Sequence, residues 1–260
     1  MRGTMKQRVV WVVAGAFALV LAFGAVAAAD SIYLDAVAAK SRSDKDRERD
    51  KRDHPAEILA FAGFKPGMRV ADLFGGGGYN AELISHVVGP KGEVLVVNNT
   101  GYARYGAKQL EPRLADNRLP NVKHHVAEAD DLKLGTNTLD GAIIVLSYHD
   151  LYWVDEKQGW PKLDAGRFLD QVAAALKPGA VLVVVDHAAE EGSGSAPAQT
   201  LHRIDEAYAK SDFAAHGLVF DASLDILRNP ADDRSKLVFD PSVQGKTDRF
   251  VHRYRKPAAN

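Results

Sequence analysis

The most informative part of the sequence is VADLFGGGGYN, residues 70–80. It joins an apolar run at residues 68–73, which predicts a short buried strand, to residues 80–88, which predict a helix with one apolar stripe. Glycine lets a backbone approach a ligand closely and adopt conformations that are closed to other residues. A glycine loop between a strand and a helix therefore indicates a cofactor site, although a tight turn without a ligand also needs glycine.

The segments around this loop alternate between strands and helices, as in a doubly wound sheet. Further strands are predicted at residues 93–97, 122–126, 141–146 and 180–185, and helices at residues 55–62 and 168–176. The apolar runs AIIVL and AVLVVV do not alternate with polar residues, which is typical of parallel strands covered on both faces. The chain then continues with a predicted helix at 198–215 and strands at 223–227 and 249–255. The predicted fold class is α/β, and the polar character of the last strand favours an antiparallel position near an edge.

The N-terminus carries a targeting pattern. Arg2, Lys6 and Arg8 precede an apolar run at residues 9–28, which ends in three alanines before Asp30. This pattern predicts a secretory signal peptide over residues 1–29, with an uncleaved membrane anchor as the alternative. We therefore expect an exported protein, periplasmic or secreted, that touches the membrane only through the signal peptide before cleavage.

Composition and charge exclude several classes of function. The chain has 260 residues, 46% of them hydrophobic, and a formal net charge of −1, which argues against binding to nucleic acid. There are no cysteines, which excludes disulfides and thiolate metal sites. Residues 41–53, SRSDKDRERDKRD, are charged with mixed sign, which predicts a solvated linker or an exposed helix with many ion pairs. Residues 30–54 are therefore expected to be a spacer before a single domain at 55–260. The alternative is that arginines of this spacer touch a ligand.

The acidic residue before the glycines separates two kinds of cofactor. Asp72 would repel the pyrophosphate of a dinucleotide but would attract an ammonium group. With it, the segment resembles motif I of class I S-adenosylmethionine-dependent methyltransferases, whose pattern is acidic-x-Gly-x-Gly-x-Gly. Asp72, Gly76 and Gly78 match, whereas Phe74 stands where the first glycine is expected and Gly75 is expected to take over the sharp turn. The alternative for Asp72 is a helix-capping carboxylate.

This resemblance covers about residues 55–256 and implies a Rossmann-like, mostly parallel sheet of seven strands with an antiparallel last strand. It also implies S-adenosylmethionine as the cofactor. By the resemblance, Asn98 would hydrogen-bond the ribose, and Glu128, Ala129 and Asp130 would lie at the adenine. More narrowly, the chain resembles a group of exported methyltransferases with a tail similar to NPADDRSKLVFDP.

The loop after the fourth strand, SYHDLYW at residues 147–153, is dense in polar and aromatic groups. Ligands of such folds lie beyond the carboxyl ends of the strands. His149 is therefore the candidate general base, with Asp150 orienting its imidazole and Tyr148 or Tyr152 lining the pocket. A purely structural loop histidine is the alternative.

Three further side chains have open roles. His187, which follows the fifth strand beside Asp186, is a second candidate for the role of His149. Tyr79 is a candidate cofactor contact, with a core or lid residue as the alternative. No metal site is predicted, because the neighbouring His124 and His125 would point to opposite faces of a strand.

The sequence thus predicts methyl transfer from S-adenosylmethionine to a small molecule or an exported macromolecule. The first alternative is a non-catalytic ligand-binding protein that kept the fold, which Phe74 and Asn98 favour. The second is a nicotinamide-dependent oxidoreductase, for which residues 76–81 give a GxGxxA match. Asp72 and the absence of an acidic residue at the end of the second strand count against it.

Overall fold

The computed structural model describes residues 31–258. The predicted signal peptide at residues 1–29 lies outside the described residues. Within residues 31–258, no helix combines the length and the apolar character that crossing a membrane requires.

A seven-stranded sheet with the order β3-β2-β1-β4-β5-β7-β6 forms the centre of the molecule. Its strands are β1 Arg69–Leu73, β2 Glu93–Asn98, β3 Val122–Val126, β4 Leu139–Val145, β5 Leu176–His187, β6 Val219–Ser223 and β7 Arg249–Arg255. The first five strands pair in parallel, and β7 runs antiparallel to both of its neighbours. The predicted α/β class, strand number and antiparallel last strand are therefore confirmed.

Helices cover both faces of this sheet. They are α1 at residues 31–38, α2 Asp44–Asp53, α3 Pro55–Ala62, α4 Tyr79–Val88, α5 Thr100–Leu114, α6 Ala165–Ala175, α7 Pro197–Leu201 and α8 Glu206–Ala215. Two predicted boundaries differ. The helix predicted at 198–215 is two helices, and the strand predicted at 223–227 lies four residues earlier, with a short 3-10 turn at Asp225–Leu227 in its place.

Strand alternation distributes the core between the two faces. Ala71 and Leu73 of β1 belong to one core, which also contains Phe168 of α6. Val70 belongs to the other core, which is covered by α3 and α4. Because successive side chains of a strand point to opposite faces, Asp72 lies on the α4 side of the sheet, at the end of β1.

The charged segment is a helix with ion pairs, as one of its two predictions states, but it is docked on the domain and is not a solvated spacer. It forms α2, and its carboxylates pair with arginines from the body of the domain. Asp46 lies 2.8 Å from Nη1 of Arg113 in α5, and Asp53 lies 2.8 Å from Nη1 of Arg249 in β7. Both members of the second pair are buried, so α2 is docked by ionic contacts that the sequence pattern does not reveal.

Candidate functional site

The glycine loop leaves β1 through a left-handed turn at Phe74, whose φ is 50°. Gly76 and Gly78 also have positive φ, whereas Gly75 does not. The expectation that Gly75 takes over the sharp turn is therefore wrong. A side chain in this conformation costs about 1–2 kcal/mol. The ring of Phe74 stacks on Tyr102 at a centroid distance of 4.7 Å and on Phe168 at 5.0 Å, and this packing holds the residue in place.

Helix α5 packs directly on the outer side of the loop. A Cβ atom at Gly106 would lie 2.3 Å from the carbonyl carbon of Gly76, and one at Gly78 would lie 2.8 Å from Leu110. At Gly78 the φ of 76° strains any other residue, and the close side chain of Leu110 would also have to shift. At Gly76, whose φ is 51°, a Cβ atom would lie 3.8 Å from the ring of Tyr102, an ordinary van der Waals contact, so this ring lies directly beside the glycine.

Asp72 lies buried beneath the loop, and its two carboxylate oxygens have different surroundings. Oδ2 accepts a hydrogen bond from the backbone N–H of Ala81 at 3.1 Å, which makes Asp72 a cap for helix α4. Oδ1 is also buried, and no hydrogen-bond partner is present for it among the described residues. Burial raises the pKa of Asp72 to about 7, and the bond from Ala81 and the charges of Arg49 and Arg113 offset only part of that rise. The capping alternative and a free carboxylate oxygen thus coexist.

Asn98, at the end of β2, anchors the loop. Its Oδ1 accepts from the N–H of Gly76 at 2.9 Å, and its Nδ2 donates to the carbonyl of Gly76 at 3.1 Å. The same Nδ2 lies 3.2 Å from Nε2 of His124. Both N–H groups of the amide are therefore committed, and the ribose contact predicted for Asn98 stays a prediction.

The segment after β3 borders the beginning of α5. Glu128 is exposed, and its Oε1 accepts a 2.5 Å hydrogen bond from the hydroxyl of Thr100. Ala129 is buried and Asp130 is exposed, with its backbone carbonyl bonded to Arg167. These residues surround the carboxyl ends of β2 and β3, where the resemblance places an adenine.

Two predicted cofactor contacts point elsewhere. The hydroxyl of Tyr79 donates to Asp50 of α2 at 2.6 Å, and the guanidinium of Arg49 lies 3.9 Å from the centre of the Tyr79 ring. Tyr148 is buried in the core, and its hydroxyl donates to Asp212 of α8 at 2.6 Å. Both tyrosines therefore occupy core positions, which for Tyr79 was the alternative to a cofactor contact.

His149 is oriented by a carboxylate, but the carboxylate is not Asp150. Asp186, at the carboxyl end of β5, lies 2.7 Å from Nδ1 of His149 and accepts from its backbone N–H at 2.8 Å. Burial alone would lower the pKa of His149, but the charges of Asp186 and Asp150 outweigh it and raise this pKa to about 9. A raised pKa disfavours the neutral form that accepts a proton, and the general-base role of His149 stays a prediction.

Three residues of this region were missed as site residues by the sequence analysis. Tyr102 stacks on Phe74, and its hydroxyl donates to Asp150, so it connects the glycine loop to the loop after β4. His202, at the end of α7, lies with Nδ1 3.4 Å from Oδ1 of Asp150. Asp186 was noted only as a neighbour of His187, although its place at the end of a parallel strand was a usable signal.

Comparisons with known proteins agree with this architecture. No family profile matches the chain. The chain is 34% identical over 129 residues to the ubiquinone/menaquinone biosynthesis C-methyltransferase UbiE of Shewanella oneidensis, which covers 49% of the chain and 46% of that protein. A second UbiE, from another Shewanella, is 34% identical over 134 residues, or 51% of the chain and 47% of that protein. The chain thus spans about half the length of the curated relatives it matches.

Solved structures share the fold over most of the chain. A SAM-dependent methyltransferase from Aquifex aeolicus has a TM-score of 0.56 at 20% identity and covers 83% of the chain and 100% of its own length. A putative sarcosine dimethylglycine methyltransferase from Galdieria sulphuraria has a TM-score of 0.58 at 17% identity, with coverages of 88% and 98%. The [4+2]-cyclase SpnF has a TM-score of 0.57 at 15% identity, with coverages of 91% and 96%. The fold is that of Rossmann-like class I methyltransferases.

Proposed function

We propose that this protein binds S-adenosylmethionine at the glycine loop and transfers its methyl group to an acceptor. The observation that carries the proposal is the buried carboxylate of Asp72, near the end of β1 beneath the loop, which has one oxygen with no hydrogen-bond partner among the described residues. The partial likeness to UbiE methyltransferases supports it. The likeness to solved structures supports the fold alone, since that fold also hosts a [4+2]-cyclase.

The residues present fit the cofactor in part. Asp72 would attract its ammonium group, Gly76 has no side chain to hinder close approach to the backbone, and Glu128 would lie near the ribose and adenine. When bound, the cofactor supplies a methyl group already activated by a sulfonium. The chain's own task is then to align the acceptor with that methyl group and to exclude water. We place the acceptor beside the loop after β4, because Tyr102 connects Asp150 of that loop to the glycine loop.

A specific observation favours the second candidate, a non-catalytic binding protein. Phe74, Tyr102 and Phe168 form a continuous ring stack beside the glycine loop, and Trp160 packs edge-on against Tyr102 at 5.3 Å. A ligand at Gly76 contacts this stack or displaces part of it. Turnover of a methyl acceptor distinguishes the two candidates, since both predict a bound ligand.

The test is calorimetric titration of the purified chain with S-adenosylmethionine and with its demethylated product. Asp72→Asn keeps an oxygen for the N–H of Ala81 but removes the negative charge, so we expect an affinity loss of tenfold or more. Asp233→Asn, which changes an exposed carboxylate elsewhere, is the matched control and should bind as the wild type does. NAD serves as a further control ligand. If the wild-type chain binds neither adenosyl ligand, the proposal is overturned.

We also propose that the protein is exported and that its acceptor, a small molecule or an exported macromolecule, is met outside the cytosol. The basic residues and apolar run before Asp30 support this proposal. Expression of the full chain in a bacterial host, followed by fractionation and N-terminal sequencing, should give a periplasmic protein that starts at Asp30. Recovery of an unprocessed chain in the cytosol would contradict export.

A further inference from the structure

A second cluster of polar side chains lies beyond the carboxyl end of β4, where His149, Asp150 and His202 converge. One potential ligand atom from each residue lies within 4.8 Å of the other two. We propose that these three side chains bind a divalent transition-metal ion with the chemistry of Zn²⁺. The ligands would be two imidazole nitrogens and one carboxylate oxygen. This site does not depend on the function proposed above.

The separations between these atoms are compatible with three ligands of one metal ion. Oδ1 of Asp150 lies 3.3 Å from Nε2 of His149 and 3.4 Å from Nδ1 of His202. A charge-assisted N–H···O bond is about 2.7–2.9 Å long, the range in which His149 contacts Asp186. Two ligands that each lie about 2.1 Å from one ion are about 3.0 Å apart at a right angle and about 3.4 Å apart at a tetrahedral angle.

Outer hydrogen bonds already direct two of the three ligands. Asp186 pairs with Nδ1 of His149, so that Nε2 carries the lone pair that faces Asp150 once the ring is neutral. The hydroxyl of Tyr102 donates to Oδ2 of Asp150 and leaves Oδ1 toward the two imidazoles. A histidine that donates its second ring N–H to a carboxylate is the usual arrangement around a bound metal.

The cluster has an accessible side and a constrained backbone. The side-chain exposures are 4% for His149 and 16% for both Asp150 and His202. His202 itself has a φ of 51° and Leu146, just before the loop, has a φ of 56°. Such left-handed conformations cost free energy and concentrate at functional sites. Three protein ligands with an accessible side are typical of a site that keeps one coordination position open for water or a substrate.

The test uses the purified full chain after treatment with a chelator and dialysis. Titration with ZnCl₂ in a calorimeter should give one site per chain with a dissociation constant in the micromolar range or below. Addition of Co²⁺ in place of Zn²⁺ should produce a visible absorption band from nitrogen and oxygen ligands. His202→Ala should weaken Zn²⁺ binding about 100-fold, and Asp186→Asn about 10- to 100-fold.

His216→Ala is the matched control, because His216 also pairs with a carboxylate, Asp170 at 2.7 Å, but lies outside the cluster. It should leave Zn²⁺ binding unchanged. Asp150→Asn preserves the shape of the ligand and keeps the test decisive if His202→Ala unfolds, which circular dichroism reports. The proposal is overturned if the wild type binds no stoichiometric Zn²⁺, or if binding survives both His202→Ala and Asp150→Asn.

Discussion

The backbone strain at Phe74 can be measured by comparing two variants, Phe74→Ala and Phe74→Gly, because both lose the same ring. Phe74 is 3% exposed and has a φ of 50°. Replacement by alanine removes the buried ring and leaves a side chain in the left-handed conformation. Replacement by glycine removes the same ring and relieves the conformation. The difference in the free energy of unfolding between Phe74→Ala and Phe74→Gly therefore isolates the backbone term.

The magnitude follows from three contributions. Loss of the stacked ring should destabilise either variant by about 3–5 kcal/mol. Relief of the left-handed conformation should return about 1–2 kcal/mol to the glycine variant. The greater freedom of glycine in the unfolded chain removes about 0.4–1 kcal/mol of that gain. We expect Phe74→Gly to be more stable than Phe74→Ala by about 0.5–1 kcal/mol, the reverse of the usual order for these two residues.

Urea unfolding of both variants and of the wild type measures this difference, provided that the slopes are equal. Phe74→Leu is a useful control, since it keeps the strain and part of the apolar volume. If the alanine variant is as stable as the glycine variant or more so, the turn is not strained at this residue. Phe74 would then carry no conformational cost at the position where the motif has its first glycine.

Three more changes test other parts of the structure. The pKa of Asp72, about 7 against an ordinary value of about 3.9, means that the folded chain holds this proton more tightly; the stability it contributes is complete below about pH 4 and is lost as the pH rises through 7. Between pH 5 and pH 8 the free energy of unfolding of the wild type should fall by about 2–3 kcal/mol more than that of Asp72→Asn, which does not titrate at this position. Denaturation at both pH values measures this difference, and an equal fall in both proteins would contradict burial of the charge. Asp53→Ala should destabilise by about 3–5 kcal/mol because it strands the buried Arg249, and should speed hydrogen exchange in α2; a loss below 1 kcal/mol would mean that α2 is not docked by this pair. Asn98→Asp removes the donor to the Gly76 carbonyl, so chemical unfolding should show a loss of about 1–3 kcal/mol, and unchanged stability would refute the anchor role.

Most of the parallel part of the sheet could be predicted because β1, β2, β4 and β5 contain apolar runs bounded by turn residues, whereas the more polar β6 was misplaced by four residues. Helix α5 could not, because Gly101, Gly106 and Pro112 all argue against a helix by intrinsic propensity. The structure supplies the reason that they are tolerated. Gly106 lets the helix approach the backbone of Gly76, so tertiary packing outweighs propensity at that position.

The candidate site was predicted where one segment carries it and missed where distant segments meet. Asp72 and the loop at 147–153 could be identified from local sequence and their place at strand ends. The pairing of His149 with Asp186, 37 residues away, could be suspected only from the position of both residues at strand ends. The contact of Asp150 with His202, which follows α7, had no local signal. His124 and His125 are adjacent in the sequence but lie on one strand, where successive side chains point to opposite faces. Of the three potential metal ligands, His202 is distant in the sequence from the other two and meets them only when the loop after β4 packs against α7.

Tyr102 joins the two proposed sites and makes their binding energies interdependent. Its ring stacks on Phe74 at the glycine loop, and its hydroxyl donates to Asp150 in the metal cluster. A ligand that displaces the ring at the glycine loop also removes this hydrogen bond, so an adenosyl ligand that binds in this way should weaken Zn²⁺ binding. Linkage requires that Zn²⁺ weakens the adenosyl ligand by the same factor. Calorimetry of each ligand in the presence of the other measures both factors. Tyr102→Phe keeps the ring and deletes the hydroxyl, so it should abolish most of the coupling, and coupling of the same size in this variant would show that it does not pass through Tyr102.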